Sequence, residues 1–147
     1  MKLSTRGRYG VRILLELALQ GDRIIPIKVI AQNQGIPQLY LEHLVAPLIA
    51  GGLIKSSRGT KGGVRLVKPP QEIKLSQIIN LLEGSVTPVD CVDEPAVCPR
   101  SNICAARDVW LEMKKAIDDI LESKTLQNLV EAQKAKTLHA TTTTYEI

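Results

Sequence analysis

The chain has 147 residues, with 19 Lys and Arg against 15 Asp and Glu and a formal net charge of +4. This length suits one domain, or a small domain with an appendage, and a hydrophobic content of 44% excludes a disordered chain. Because the chain has no Phe, one Trp and three Tyr, it is not expected to bind single-stranded nucleic acid by base stacking. It has neither a transmembrane run nor a signal peptide, so we expect a cytoplasmic protein.

The charge is distributed unevenly along the chain. Residues 1–68 carry 11 Lys and Arg against 3 Asp and Glu, a net charge of +8, whereas residues 69–147 carry 8 against 12, a net charge of −4. A basic segment of this size favours an anionic partner, and nucleic acid is the commonest one. The first half of the chain is therefore the candidate DNA-binding part.

Residues 4–20 have apolar side chains at helical spacing, with Ser4 or Thr5 as a possible N-cap and Gly21 as a stop. The first turns contain Arg residues, which opposes the usual preference for acidic side chains at a helix N-terminus. The basic side chains are Arg6, Arg8 and Arg12, and they indicate an end of the helix that faces phosphates, unless it is simply a solvated basic end.

Residues 27–34 predict a short helix before Gly35, and Pro37 is expected in the first turn of a second helix that ends near residue 50. Two short helices around a Gly-containing turn predict a helix-turn-helix unit. The apolar stripe of the second helix is Leu41, Leu44, Val45 and Leu48. The polar side chains left for base contacts in the major groove are Gln38, Tyr40, Glu42 and His43.

Residues 53–57 and 64–68 predict two strands joined by the turn RGTKGG. A hairpin directly after a helix-turn-helix is a wing, and its tip carries Arg58, Gly59 and Lys61, which suit contacts with phosphates or the minor groove. The turn does not match a phosphate-binding loop, because it lacks the required spacing and no helix follows it.

The second half begins with a helix over residues 75–83, followed by a Pro-rich loop over 85–103. Residues 104–123 form the longest predicted helix, with an apolar stripe suited to a partner helix: Val109, Met113, Ile117, Ile120 and Leu121. A helix over 125–133 precedes a polar, Thr-rich tail, which we expect to be disordered.

The predicted fold is mostly α with a small β-hairpin wing, a winged helix-turn-helix domain followed by a long C-terminal dimerisation helix. We assign the DNA-binding domain to residues 1–70, an effector loop with dimerisation helices to residues 71–134, and the disordered tail to residues 135–147.

The three cysteines, Cys91, Cys98 and Cys104, are clustered in the Pro-rich loop and at the start of the long helix. Their spacing fits neither a zinc finger nor a thioredoxin motif, but three thiolates on one loop suit a soft metal centre such as an iron–sulfur cluster. Zinc binding, thiol redox chemistry and simple loop packing stay open as alternatives.

Three features together resemble a known family. MKLSTRGRYGVR opens a basic helix, IPQLYLEHLVAPLIAGGLIKSSRGTKGGVRL supplies the second helix and the hairpin, and a cysteine triplet precedes a long helix. Over about residues 1–134 the chain resembles the IscR-like winged-helix transcriptional regulators, the family that contains IscR, NsrR and CymR. The cysteine spacing looks like that of IscR, whereas CymR-type members lack the triplet and respond to a protein partner.

The resemblance implies a homodimer that binds a palindromic operator, with Tyr40, Glu42 and His43 in the major groove and Arg58 in the minor groove. His43 can donate to guanine and Glu42 can accept from cytosine, although Glu42 could also exclude other bases or pair with a nearby Arg. The full set of candidate DNA-contacting residues is Ser4, Arg6, Arg8, Tyr9, Gln38, Tyr40, Glu42, His43, Arg58, Gly59 and Lys61.

The resemblance to IscR also implies an iron–sulfur cluster, expected to be [2Fe–2S], with [4Fe–4S] as an alternative. IscR supplies a His three residues after its last cysteine, where this chain has Arg107, and NsrR-type members use an acid in the first helix, where this chain has Arg8. The fourth ligand is therefore open, and residues of suitable type are Asp90, Asp93, Glu94, Asp108 and His43.

These features predict a transcriptional regulator that senses an iron–sulfur cluster and controls genes of cluster biogenesis. The alternatives are a cluster-free, CymR-type regulator of cysteine and sulfur metabolism that is controlled by a protein partner, and an NsrR-type repressor that senses nitric oxide or redox state. An enzyme is not indicated, because no nucleophile is accompanied by a paired His and carboxylate.

Overall fold

The structure, a computed structural model, describes residues 1–145. Its elements in chain order are the helices α1 (Thr5–Leu19), α2 (Ile27–Gln34) and α3 (Gln38–Ala50), the strands β1 (Ile54–Ser57) and β2 (Gly63–Leu66), and the helices α4 (Leu75–Glu83), α5 (Asp90–Asp93), α6 (Ala105–Ser123) and α7 (Leu126–Tyr145). Two 3-10 turns lie at Pro70–Glu72 and Pro95–Val97. The mostly helical fold with one small hairpin confirms the predicted fold class.

Helices α2 and α3 form the predicted helix-turn-helix. Gly35 ends α2 with a φ of 61°, a backbone conformation that a residue with a Cβ rarely adopts. Pro37 occupies the N-cap position of α3, one residue before the helix begins, rather than its first turn. The inner face of α3 is buried as the apolar spacing predicts, through Leu41, Leu44, Val45 and Leu48.

Strands β1 and β2 pair antiparallel, from Ile54 opposite Leu66 to Ser57 opposite Gly63. The hairpin is attached to the helices through Ile25 and Val64, whose backbone N–H and C=O groups exchange two hydrogen bonds of 2.9 Å. Because Val64 is fully buried, the base of the wing is fixed on the core while its tip extends into solvent.

The hydrophobic core extends past residue 70, the boundary that the sequence suggested between the two parts of the chain. Ile73, Ile78 and Leu82 join the same buried cluster as the helix-turn-helix, and Leu126 from α7 is completely buried within it. Backbone hydrogen bonds from Leu126 N–H to the Ile73 carbonyl (2.8 Å) and from Leu75 N–H to the Lys124 carbonyl (2.9 Å) fix the start of α7 on this core. We refer to residues 1–83 with the start of α7 as the head.

The second half differs from its prediction in two places. The Pro-rich loop contains the short helix α5 and a 3-10 turn. The expected disordered tail is instead helical over residues 135–145, because α7 continues to Tyr145; residues 146 and 147 lie outside the described residues. The Thr hydroxyls that suggested disorder donate to carbonyls four residues back, as in Thr141 to Thr137 (3.0 Å) and Thr142 to Leu138 (3.0 Å), which is compatible with a helix.

Candidate DNA-binding surface and cysteine loop

The first candidate DNA-contacting residues lie at the start of α1. Ser4 is the N-cap, and its hydroxyl accepts a hydrogen bond from Gly7 N–H (3.2 Å) and donates to the Glu83 carboxylate. Arg6 and Arg8 are exposed, and Arg8 reaches back to the Thr5 hydroxyl (3.3 Å). The structure therefore gives Ser4 a role within the fold and leaves the two guanidinium groups facing solvent.

Glu83, at the end of α4, is a functional candidate that the sequence analysis missed. Its carboxylate accepts hydrogen bonds from Gly7 N–H (2.9 Å), Ser4 N–H (3.3 Å) and the Ser4 hydroxyl. The Ser4 side chain is the main cause that holds the pKa of Glu83 below its ordinary value, with smaller contributions from both backbone N–H groups and Arg6, opposed by burial. Helix α1 has no acidic residue in its own first turn, so α4 supplies the negative charge.

Tyr9 and Tyr40 connect the start of α1 with the start of α3. Their rings meet edge to face with centroids 5.9 Å apart, and both side chains are half-buried. The Arg12 guanidinium lies 5.3 Å from the centre of the Tyr9 ring. This contact places two separate stretches of candidate DNA-contacting residues beside each other on the head.

The N-terminal part of α3 presents polar side chains to solvent. Gln38, Glu42 and His43 are exposed, and Gln38 donates to the Glu42 carboxylate (3.1 Å). Glu42 thus has an amide partner where the sequence alternative proposed an Arg. Leu39, between these residues, is 68% exposed and was not selected from the sequence, although an exposed apolar side chain here suits contact with a thymine methyl group.

The wing tip is polar and accessible. Arg58, Gly59 and Lys61 are all exposed, and the turn is closed by a hydrogen bond from Gly62 N–H to the Gly59 carbonyl (3.0 Å). Two cationic side chains are therefore held on a tight turn at the end of a short, fixed hairpin. This geometry is suited to contact with the phosphates beside a groove.

The cysteine loop, residues 85–104, carries three free thiols that are each half-buried. The loop is held by its own hydrogen bonds: the buried Ser101 hydroxyl donates to the carbonyls of Pro95 (2.7 Å) and Cys98 (2.9 Å). Arg107, on the first turn of α6, donates from Nε to the Cys91 carbonyl (2.8 Å). These hydrogen bonds stabilise the conformation of the loop in this structure.

Three thiolates are suitable donors for iron, but the loop in this conformation does not gather them. Over the described residues, no group of three or more His, Cys, Asp or Glu side chains is arranged to hold a metal ion. The candidate fourth ligands Asp90, Asp93, Glu94 and Asp108 are exposed, and His43 is exposed on α3. The donor types fit a cluster, whereas the geometry of this state does not.

Helix α6 has an unburied apolar surface. None of its 19 residues is buried, and its exposed large side chains include Val109, Leu111, Met113 and Ile120. Ion pairs between Lys114 and Asp118 (2.6 Å) and between Lys115 and Asp119 (2.6 Å) occupy other positions of the same helix.

Over the part of the chain that the structure describes, no helix is long and apolar enough to cross a membrane.

A helix-turn-helix followed by a wing, with an exposed polar start on its second helix and cations at the wing tip, defines the class of winged-helix DNA-binding proteins. The family model Rrf2, described as iron-dependent transcriptional regulator, matches residues 3–132. The chain belongs to the Rrf2 family.

Individual relatives support this assignment. Protein rrf2 of Nitratidesulfovibrio vulgaris is 40% identical over 131 residues, which cover 88% of this chain and 87% of the relative. The structure of CymR, the global cysteine regulator of Bacillus subtilis, matches with a TM-score of 0.77 and 38% identity over 90% of this chain and 98% of CymR. The structure of IscR from T. potens matches with a TM-score of 0.72 and 36% identity over 90% of this chain and 88% of IscR. The chain is accordingly a transcriptional regulator and not an enzyme.

Proposed function

We propose that two copies of this chain bind a palindromic operator, with α3 in the major groove and the wing tip beside it. The observation that carries this proposal is the division of α3 into a buried apolar side and an exposed polar start, on a head whose first 68 residues have a net charge of +8. Tyr40, Glu42 and His43 contact base edges, while Arg6, Arg8 and Lys61 contact phosphates. Arg58 enters the minor groove or tracks its phosphates.

The homodimer is formed through α6. Its apolar side chains, unburied in a single chain, are covered when the α6 helices of two copies cross. Exposed Val109, Met113 and Ile120 supply the spacing that suits a helix pair. Such a dimer presents two heads related by a two-fold axis, which accounts for a palindromic operator.

The signal acts at the cysteine loop. The first candidate is an iron–sulfur cluster on Cys91, Cys98 and Cys104, [2Fe–2S] by resemblance to IscR with [4Fe–4S] as the alternative, in a regulator of cluster biogenesis genes. Soft thiolate donors support this candidate, as does a family described as iron-dependent. The loop must rearrange to gather the three thiols, and Arg107 must release the Cys91 carbonyl if Cys91 turns toward the others.

The test is anaerobic reconstitution of the full chain with iron and sulfide, followed by visible spectra and DNA footprints. We expect charge-transfer bands in the wild type, none in a variant with all three cysteines changed to Ser, and a footprint that differs with loading. A parallel experiment with Zn²⁺ in place of iron and sulfide tests whether the three cysteines bind zinc instead. A wild type without cluster bands, or with identical footprints in both states, would overturn the cluster as the signal.

A second candidate is a cluster-free regulator of sulfur metabolism that is controlled by a partner protein. It is favoured by the three thiols, which are not brought together in this structure, and by Arg107 on α6, a side chain that does not ligate metals and is bonded to the loop. Its expected result is a complex with a metabolic enzyme that changes operator affinity and survives Cys91→Ala, Cys98→Ala and Cys104→Ala together. An NsrR-type function predicts instead that a nitric oxide donor abolishes DNA binding by the cluster-loaded protein only.

A further inference from the structure

The basic start of α1 packs directly on the end of α4. A Cβ built at Gly10 would overlap Leu82 Cδ1, and a Cβ at Gly7 would overlap the Glu83 carboxylate. Both glycines belong to the STRGRYG segment, so this segment is shaped by its contact with α4 as well as by its exposed Arg side chains. Glycine at these two positions leaves room on α1 for the Leu82 and Glu83 side chains in the positions that they occupy.

Glu83 makes the polar part of this contact. One carboxylate oxygen accepts from Gly7 N–H (2.9 Å) and from the Ser4 hydroxyl, and the other accepts from Ser4 N–H (3.3 Å). A carboxylate that accepts from backbone N–H groups at a helix start fixes that end of the helix and complements its dipole. Arg6 and Arg8 extend from the same first turns of α1, so both cations lie beside the end of the helix that Glu83 holds.

The same residue is the last one of α4 before the cysteine loop. Gly84 follows with φ 77° and ψ −148°, a conformation restricted to glycine, and Cys91 lies seven residues further along the chain. At Cys91 the loop is bonded to the first turn of α6, because Arg107 donates to the Cys91 carbonyl. Residues 84–90 therefore connect Glu83 to a point that is held on α6, and this short segment is the direct chain link between Cys91 and Glu83.

We propose that Glu83 is a positioning residue that transmits the state of the cysteine loop to Arg6 and Arg8 at the start of α1. The inference rests on the proposed DNA contacts of these two Arg residues and adds the route by which the loop reaches them. Removal of the Glu83 carboxylate is expected to uncouple the two sites and to loosen the start of α1, while the cysteine loop keeps its three thiols.

The test uses hydrogen–deuterium exchange of the full chain without DNA or metal. Arg107→Gln replaces the guanidinium that donates to the Cys91 carbonyl with a shorter, neutral amide, which we expect to loosen the loop. In the wild-type background we expect this change to speed exchange of the amides of residues 4–8 about fivefold, a modest coupling between sites. In a Glu83→Gln background the same amides exchange fast already, and Arg107→Gln adds no further change.

Glu72→Gln is the matched control, because Glu72 is an exposed carboxylate of the head and loses the same charge. In its background, Arg107→Gln must still speed exchange of residues 4–8. If Glu83→Gln does not fold, as judged by circular dichroism, Ser4→Ala removes the hydroxyl side of the same contact and is expected to give the same result. Equal responses of residues 4–8 to Arg107→Gln with and without Glu83 would overturn the proposal.

An operator-binding titration separates this inference from the proposed function. If loading the cysteine loop changes operator affinity in the wild type, Glu83→Gln should abolish the change while its cluster spectrum stays that of the wild type, and a persisting change would overturn the coupling. If the wild type binds no cluster, only the proposed cluster signal is refuted. The coupling through Glu83 is still tested, because the hydrogen–deuterium exchange experiment uses protein without a cluster.

Discussion

The head buries its apolar side chains, whereas helix α6 leaves its apolar side chains exposed. In the head, Ile13, Leu14, Leu41 and Leu48 are at most 1% exposed, whereas α6 contains no buried residue and leaves Ile120 60% exposed. Both segments have an apolar spacing typical of amphipathic helices. The head is therefore completed within one chain, whereas the apolar side chains of α6 are left uncovered in a single chain, as the proposed dimer requires.

The largest effect is expected from a cavity in the head. Leu14→Ala should lower the free energy of unfolding by about 3 kcal/mol, because it removes a fully buried side chain from a packed core. Urea denaturation monitored by circular dichroism measures this change. Ile120→Ala is the comparison on α6, and at concentrations where the chain is monomeric it should change the unfolding free energy by less than about 0.5 kcal/mol. Equal losses in both variants would contradict the contrast between the regions.

A charge on the exposed apolar stripe of α6 should weaken the proposed dimer. Ile120→Glu places a carboxylate in an apolar helix pair and should raise the dimer dissociation constant at least about 30-fold, the equivalent of about 2 kcal/mol. Sedimentation equilibrium gives the constant. Lys115→Glu also introduces a carboxylate on α6, at a charged position, and should have a much smaller effect. An unchanged dissociation constant for Ile120→Glu would exclude this stripe as the interface.

Sequence spacing predicted the regular elements of the head well but not the contacts between distant segments. The bounds of α2 and α4 were predicted to the residue, because an apolar stripe ends at a Gly in each. Glu83 was missed because 79 residues separate it from Ser4, and no local pattern reports such a pairing. The α7 extension was missed because Thr-rich composition suggests disorder, although Thr hydroxyls can bond within a helix.

The cysteine loop shows the limit of spacing most clearly. The spacing of Cys91, Cys98 and Cys104 indicates a set of three donors, but whether they converge depends on how α5, the 3-10 turn and α6 pack. Arg107 was identified as a departure from the IscR pattern, while its bond to the Cys91 carbonyl became visible only in the structure. Residue type at a position was therefore predictable, and the conformation that the residue stabilises was not.

A smaller effect is expected for a single cation of the wing. Arg58→Ala should weaken operator binding and reduce the magnitude of the slope of log K against log salt by about 1, because one phosphate contact and its counterion release are lost. Fluorescence anisotropy at several salt concentrations measures the slope. Lys136→Ala removes the same charge from exposed α7, outside the proposed DNA-binding surface, and should leave the slope unchanged. Identical slopes for wild type and Arg58→Ala would place the wing away from the DNA.

The smallest effect is the pH dependence contributed by Glu83. Hydrogen bonds from Ser4 hold the pKa of this carboxyl below its ordinary value of 4.5 in the folded chain, so the ionised form stabilises the fold. This contribution is fully present above the ordinary value and is lost as the pH falls through the lowered folded pKa. The difference in unfolding free energy between wild type and Glu83→Gln should therefore be largest near neutral pH and should shrink below pH 4.5. Urea titrations across this pH range measure the difference. The pKa of Glu122 is also lowered, by Lys74 and Ser76, but the contribution of Glu122 is the same in both proteins and drops out of the difference. A difference that stays constant with pH would show that the carboxylate charge at the start of α1 contributes nothing to the fold.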